Sequence, residues 1–371
     1  MKRIILAFTA AVALLASCKP AAVEVPGGVP EGYGILTIDV AKTGAAPTRT
    51  VAAYTGSKSY ETQVNKVQIF VFYRGGNQNG VLAARLTGTT ETSGYSVELP
   101  VGDYTVYVQI NGQDKSPASA TEFNNYTAPL DVNSITASTG FLMIGSADAS
   151  VTSSGGSCTV NVARLLNRIS VSRITNGMPS TNITINRMWL ANVVTPQRYD
   201  NSISGDNRTW VHKFSRSEDF TTPIPSLPAK LISTFTAPSL TSRNFNETLS
   251  PSGRIGYEGA FCLYAYANLH DSSITPAESN VACTTGSSAV TEWEPTQTRL
   301  VFEATIGTTK YYYPCDIVLG TNNQAHTVEI TISGPGLTDP QGNPHDLDKK
   351  ALSVSIVVSG WNDGTEYELN Y

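Results

Sequence analysis

The sequence has 371 residues, enough for two domains of ordinary size. Only 15% of them are charged, and 30 glycines, 20 prolines and 17 tyrosines accompany abundant serine and threonine, the composition of an extracellular all-β protein rather than a helical cytoplasmic enzyme. A net charge of −5, with no long run of lysine or arginine, argues against nucleic acid as a partner.

Met1, Lys2 and Arg3 open the chain with charge, and Ile4 to Ala16 follow as an apolar run of signal-peptide length, too short to span a bilayer. The run ends in Leu15-Ala16-Ser17-Cys18, which resembles a bacterial lipobox. The expectation is therefore a signal peptide over 1–17 and a lipidated Cys18 as the mature N-terminus, held to a membrane by its acyl chains. Residues 18–34 read as a flexible tether, because Pro20, Pro26, Gly27, Gly28, Pro30, Gly32 and Gly34 prevent helix and disfavour strand.

Leu36, Ile38 and Val40 then recur at period two, the signature of a half-buried strand over 35–40. The stretch from Ala41 to Ala53 is small and polar, and its lone arginine, Arg49, reads either as a solvated surface residue or as a cation offered in extended chain to a trypsin-like protease, with Thr50 following the cut. Strands are predicted at 66–73 (KVQIFVFY), 81–86, 95–99 and 104–110, separated by turn formers such as Gly75-Gly76-Asn77 and Pro100-Val101-Gly102-Asp103. Residues 111–135 read as loop. Two more extended segments are predicted at 141–145 and 159–174, the second punctuated by Arg164, Arg168 and Arg173, which are better explained by edge protection or ion pairing than by anion binding.

A break at Asn176-Gly177-Met178-Pro179 divides the chain into 35–178 and 179–371. Strands resume at 183–193, 260–267, 299–306, 310–314 and 327–333, around a long polar region from 195 to 255. The last segment, 351–371, contains Leu352, Val354, Ile356 and Val358 on one face and is free to pair with its own sheet or with a neighbour's.

Motifs for chemistry are missing from the sequence. His212, His270, His326 and His345 are scattered singly without zinc spacing, and no nucleophile elbow or phosphate-binding loop occurs. The reading is not an enzyme, with no cofactor and no metal. Besides Cys18 there are Cys158, Cys262, Cys283 and Cys315, without CxxC spacing; a disulfide among the last three and buried free thiols both stay open.

The order of blocks resembles the Bacteroidales fimbrillins. It is carried by the lipobox, the first apolar strand, the Arg49 loop, the KVQIFVF strand and Gly102-Asp103-Tyr104-Thr105-Val106-Tyr107. Leu263-Tyr264-Ala265-Tyr266-Ala267-Asn268, Tyr311-Tyr312-Tyr313-Pro314, Ile330-Thr331-Ile332-Ser333-Gly334-Pro335-Gly336 and the closing valine-rich strand with Trp361 continue it. The chain departs from the family's pattern at Asn322-Asn323 and His326, where an Arg-Asn pair and an aromatic are expected.

The resemblance implies a structural subunit of a type V pilus with two transthyretin-like β-sandwich domains in tandem. It also implies a lipoprotein precursor at the outer membrane, a cut after Arg49 by an arginine-specific protease, and departure of the strand bearing Leu36, Ile38 and Val40. The vacated groove would receive the segment bearing Leu352, Val354, Ile356 and Val358 from another copy, building a surface fimbria that supports adhesion. The implied partners are other copies of the chain and other pilus subunits. A tip or accessory adhesin, an anchor subunit, and a surface glycan-binding lipoprotein using Trp189, Trp210 and Trp293 are the alternatives.

Overall fold

The computed structural model describes residues 30–42, 61, 63–89, 94–128, 140–191, 193–200, 209–211, 242–256, 262–268, 282–284, 291–293, 298–338, 347, 350–360 and 364–369. Cys18, Arg49 and Thr50 lie outside the described residues, as do His212, His270 and His345 and the side chains of Cys283, Trp210 and Trp293.

The first eight strands are β1 (Tyr33–Lys42), β2 (Val67–Tyr73), β3 (Leu82–Gly88), β4 (Tyr95–Pro100), β5 (Gly102–Ile110), β6 (Thr127–Ala128), β7 (Met143–Val151) and β8 (Gly156–Arg164). Seven of them form one sheet in the order β3-β2-β5-β7-β8-β1-β4. The sheet rolls on itself, because Val67, Ile69 and Val71 of β2 share one apolar core with Leu36, Ile38 and Val40 of β1, four places away in the order. β2 is covered on both faces, which its nearly unbroken apolar sequence requires: Phe70 and Phe72 point the other way, against Phe123 and Tyr107.

Two features depart from the sequence reading here. Residues 111–135 include a short helix, α1 (Ala120–Asn125), whose start is fixed by the Ser119 hydroxyl accepting from the Glu122 N–H at 3.1 Å while the Glu122 carboxylate accepts from the Ala118 N–H at 2.8 Å, a variant of the capping box. The extended segment expected at 159–174 is two strands. β8 ends at Arg164 in the rolled sheet, and β9 (Leu166–Asn176) begins a different one.

The remaining strands are β10 (Ile183–Ala191), β11 (Val193–Thr195), β12 (Gln197–Arg198), β13 (Thr209–Val211), β14 (Ser242–Leu249), β15 (Arg254–Gly256) and β16 (Cys262–Tyr266), then β17 (Ala282–Thr284), β18 (Thr291–Trp293), β19 (Arg299–Ile306), β20 (Thr309–Asp316), β21 (Gln324–Ile332), β22 (Leu352–Gly360) and β23 (Gly364–Leu369). β14-β10-β19-β20 form one sheet, and β15-β9-β21-β22-β23, with β16 also on β9, form another. Their inner faces meet in a single apolar core, with Met188, Leu300 and Phe302 from the first and Ile169, Val328 and Ile356 from the second. β9 pairs with β15, β16 and β21, so the hydrogen bonding changes sheets at Leu165, upstream of the break read at 176–179.

The two groups of sheets are joined at a buried ion cluster. Glu61, 1% exposed, receives the Arg168 guanidinium at 3.0 Å and the Tyr264 hydroxyl at 2.5 Å on its carboxylate, and the Arg164 Nε donates to its backbone carbonyl at 2.7 Å. Arg164 and Arg168 are therefore pairing residues, and Arg173 pairs with Glu329. Burial holds the Arg164 guanidinium down at about 10, with the Glu61 carboxylate opposing that shift. Cys262 is buried beside the Ser170 hydroxyl, Cys315 is a free, buried thiol and Cys158 is a free, half-buried one.

Candidate functional site

The strand expected to leave is held on both edges. β1 pairs antiparallel with β4, Leu36 opposite Val97 and Ile38 opposite Tyr95, and parallel with β8, Ile38 opposite Cys158 and Val40 opposite Val160. Leu36 and Ile38 are 0% exposed and Val40 is buried, so the alternation in the sequence maps directly onto an inward face. The strand begins at Tyr33, inside the stretch read as tether. Gly34 lies in it because a Cβ there would meet the Thr152 carbonyl oxygen at 2.0 Å and Val151 Cγ1 at 2.8 Å.

At its other end β1 stops at Lys42, beside the end of β8. Partial burial, and then the nearby Arg164 charge, lower the Lys42 ammonium from its ordinary value, so this end of the strand carries a like-charge contact. The chain is next described at Glu61, the centre of the ion cluster. Glu61 is anchored in that cluster by Arg164, Arg168 and Tyr264, independently of β1. Cys158 sits in the same inward phase as Val160 and Val162, and burial, with the Asp39 charge, pushes its thiol up to about 11.

The segment expected to be donated is docked on its own sheet. β22 pairs antiparallel with β21 from Leu352 opposite Ile332 to Gly360 opposite Gln324, and on its other side with β23 from Val354 to Ser359. Leu352, Val354, Ile356 and Val358 are all buried in the core of this half. β23 is the edge of that sheet. Across from Val358 lies His326, 0% exposed, with no partner for either ring nitrogen among the described residues; burial alone holds its imidazole down at about 4. Trp189, read as a glycan-platform candidate, is 6% exposed, edge-on to Tyr312 and beneath the Arg187 guanidinium.

Reading the sequence missed Glu61, Gly34 and Cys158. Glu61 has no local signal, since its partners come from residues 103 to 203 positions away. Gly34 gave the opposite signal, a strand breaker, because its need for close backbone approach is visible only in space. Among the described residues no group of three His, Cys, Asp or Glu side chains could hold a metal ion.

Residues 35–187 match the family model described as major fimbrial subunit protein (FimA). Over this stretch the chain is similar to the FimA fimbrillins. That family is one of structural fimbrial subunits, not enzymes. Solved structures share the fold. A fimbrilin from Porphyromonas gingivalis W83 is 13% identical at a TM-score of 0.54, the match covering 89% of this chain and 99% of that one. A candidate cell adhesion protein from Bacteroides eggerthii is 14% identical at 0.54, over 90% and 98%. Another from Parabacteroides distasonis is 12% identical at 0.55, over 90% and 98%. Comparison with curated protein sequences gives no match.

Proposed function

We propose that this chain is a polymerising pilus subunit matured by strand exchange. It is exported as a lipoprotein on Cys18, cut between Arg49 and Thr50 by an arginine-specific protease, and opened by loss of β1 with Leu36, Ile38 and Val40. A neighbouring copy's Leu352, Val354, Ile356 and Val358 fill the groove. The sheets are read as two transthyretin-like β-sandwiches in tandem, the rolled sheet forming the first.

The observation that carries the proposal is the position of β1 between β4 and β8. A strand removed from an edge leaves the sheet nearly intact. Removal from between two partners leaves two rows of unpaired backbone groups and an apolar trough, a state that drives capture of another strand. Burying four aliphatic side chains in that trough is worth roughly 6 to 12 kcal/mol gross, before ordering costs. Part of this is offset, because β22 first leaves an equally buried place on its own sheet. Each copy gives at one end and receives at the other, so the contact is head-to-tail and the product is an open filament.

The test treats purified precursor with an arginine-specific protease and follows intact mass and SDS-PAGE with and without boiling. Trimming to Thr50 followed by a ladder of boil-sensitive oligomers is expected, and both Arg49→Ala and a truncation lacking 351–371 should abolish it. A chain that is cut yet stays monomeric with its C-terminus intact would favour a tip subunit; an uncut Arg49 in the folded precursor would favour an anchor.

A further inference from the structure

The place that β1 occupies is not uniform along its length. At the Tyr33 end the turn between β7 and β8 crosses its inward face, and a Cβ on Gly34 would lie 2.0 Å from the Thr152 carbonyl oxygen. A backbone oxygen held in a turn cannot swing aside as a flexible side chain can, so this position takes glycine. Stepping two residues at a time along the same face come Leu36, Ile38 and Val40, all buried. A strand that replaces β1 in the same pairing has to present the same order: no side chain, then three aliphatics.

β22 carries that order only when read from its end to its start. In the forward direction Leu352, Val354 and Ile356 are preceded, two residues earlier, by Lys350, whose side chain would run into the Thr152 oxygen. Backwards, the steps are Gly360, Val358, Ile356 and Val354, with isoleucine again at the centre. Gly364 offers no second solution, since its forward steps reach Glu366 and Glu368. The outward positions in the backward register are Ser359, Val357 and Ser355, in place of the half-buried Ile35, Thr37 and Asp39.

Building on the strand-exchange reading above, we propose that β22 of a second copy enters with polarity opposite to β1. Gly360 takes the place of Gly34, Val358 that of Leu36, Ile356 that of Ile38 and Val354 that of Val40. The incoming strand is then antiparallel to β8 and parallel to β4, the reverse of the pairings that β1 makes. Gly34 and Gly360 together fix the register, because a slip by two residues drives a side chain into the turn.

The chain supplies its own reporter, since Ile38 lies opposite Cys158. In the proposed register Ile356 becomes the cross-strand neighbour of Cys158; with the polarity of β1 and Leu352 at the Leu36 position, Val354 does. Directly opposed residues are within disulfide reach. Precursors carrying Ile356→Cys or Val354→Cys, checked as folded monomers by circular dichroism, are cut with an arginine-specific protease, left to assemble, oxidised with diamide and run without reductant. Ile356→Cys is expected to give a covalent ladder at least roughly tenfold stronger than Val354→Cys, as the register dictates, and Cys158→Ser should remove it. Gly360→Ala is expected to keep the monomer fold and lose the ladder. A ladder from Val354→Cys in place of Ile356→Cys overturns the polarity and leaves strand exchange standing. If wild-type cut chain gives no boil-sensitive oligomer at all, strand exchange fails and the proposal fails with it.

Discussion

Single residues set the two sharpest expectations. Gly34→Ala places a Cβ 2.0 Å from a backbone oxygen in the precursor, and such over-packing costs about 1 to 3 kcal/mol or more. Thermal melts of the uncut precursor should drop accordingly. Assembled filaments, from which β1 has departed, should melt as wild type does; an equal drop in both forms would mean that β1 stays. His326 supplies the second. Its imidazole sits near 4 in the folded chain, against 6.5 for an unhindered one, because burial disfavours the charged form. Between these values the unfolded chain binds more protons than the folded one, so stability is present in full above pH 6.5 and falls as pH drops towards 4. The loss is on the order of 3 kcal/mol across that window. His326→Phe restores the aromatic that the family pattern leads one to expect here and removes two unpartnered buried nitrogens. Urea midpoints at pH 7 and pH 4.5 should differ less in His326→Phe than in wild type, by about the amount this one group contributes.

Among elements, the contrast between β22 and β23 is the one that matters for function. β22 is paired on both sides and buries four aliphatic side chains, whereas β23 is the edge of the sheet, paired on one side. Amide exchange measured on the precursor should therefore show β23 opening well before β22, in keeping with local stability that follows burial and pairing. Equal protection would mean that the two strands leave together. What the sequence made legible follows the same physics. Period-two alternation found the inward faces of β1 and β22, whereas the nearly unbroken apolar run of β2 was read only as a strand, and its burial on both sides emerged from the structure. The break at Leu165 left no such mark: β8 and β9 are both extended, and a change of hydrogen-bonding partner between strands that follow each other in the chain needs no turn former. The helix α1 was legible in principle through Ser119 and Glu122, but six residues carry too little periodicity to announce it.

At the scale of the whole molecule, the Glu61 cluster is placed to hold the two groups of sheets together in the proposed state without β1. Glu61 is on the retained side of the Arg49–Thr50 bond, and it binds the end of β8 through Arg164, β9 through Arg168 and β16 through Tyr264. It thus bridges the very point at which the chain passes from one sheet to the next. Removing one partner of a buried ion pair strands the other charge, at a cost of about 3 to 5 kcal/mol, whereas replacing both by apolar groups of similar shape is close to neutral. Glu61→Ala should therefore lower the melting temperature of the precursor sharply, and Glu61→Leu with Arg168→Met should recover most of the loss. If the cluster matters beyond stability, the cut form will feel its removal more than the precursor does, because β1 no longer braces β8 alongside Arg164. Calorimetry on cut, unassembled chain is the deciding measurement: wild type should melt in one transition, and Glu61→Ala should melt in two, the rolled sheet separating from the rest. A single transition in the cut variant would show that the aromatic contacts of Phe123 with Tyr199, and of Phe141 with Tyr264, are enough to couple the halves on their own.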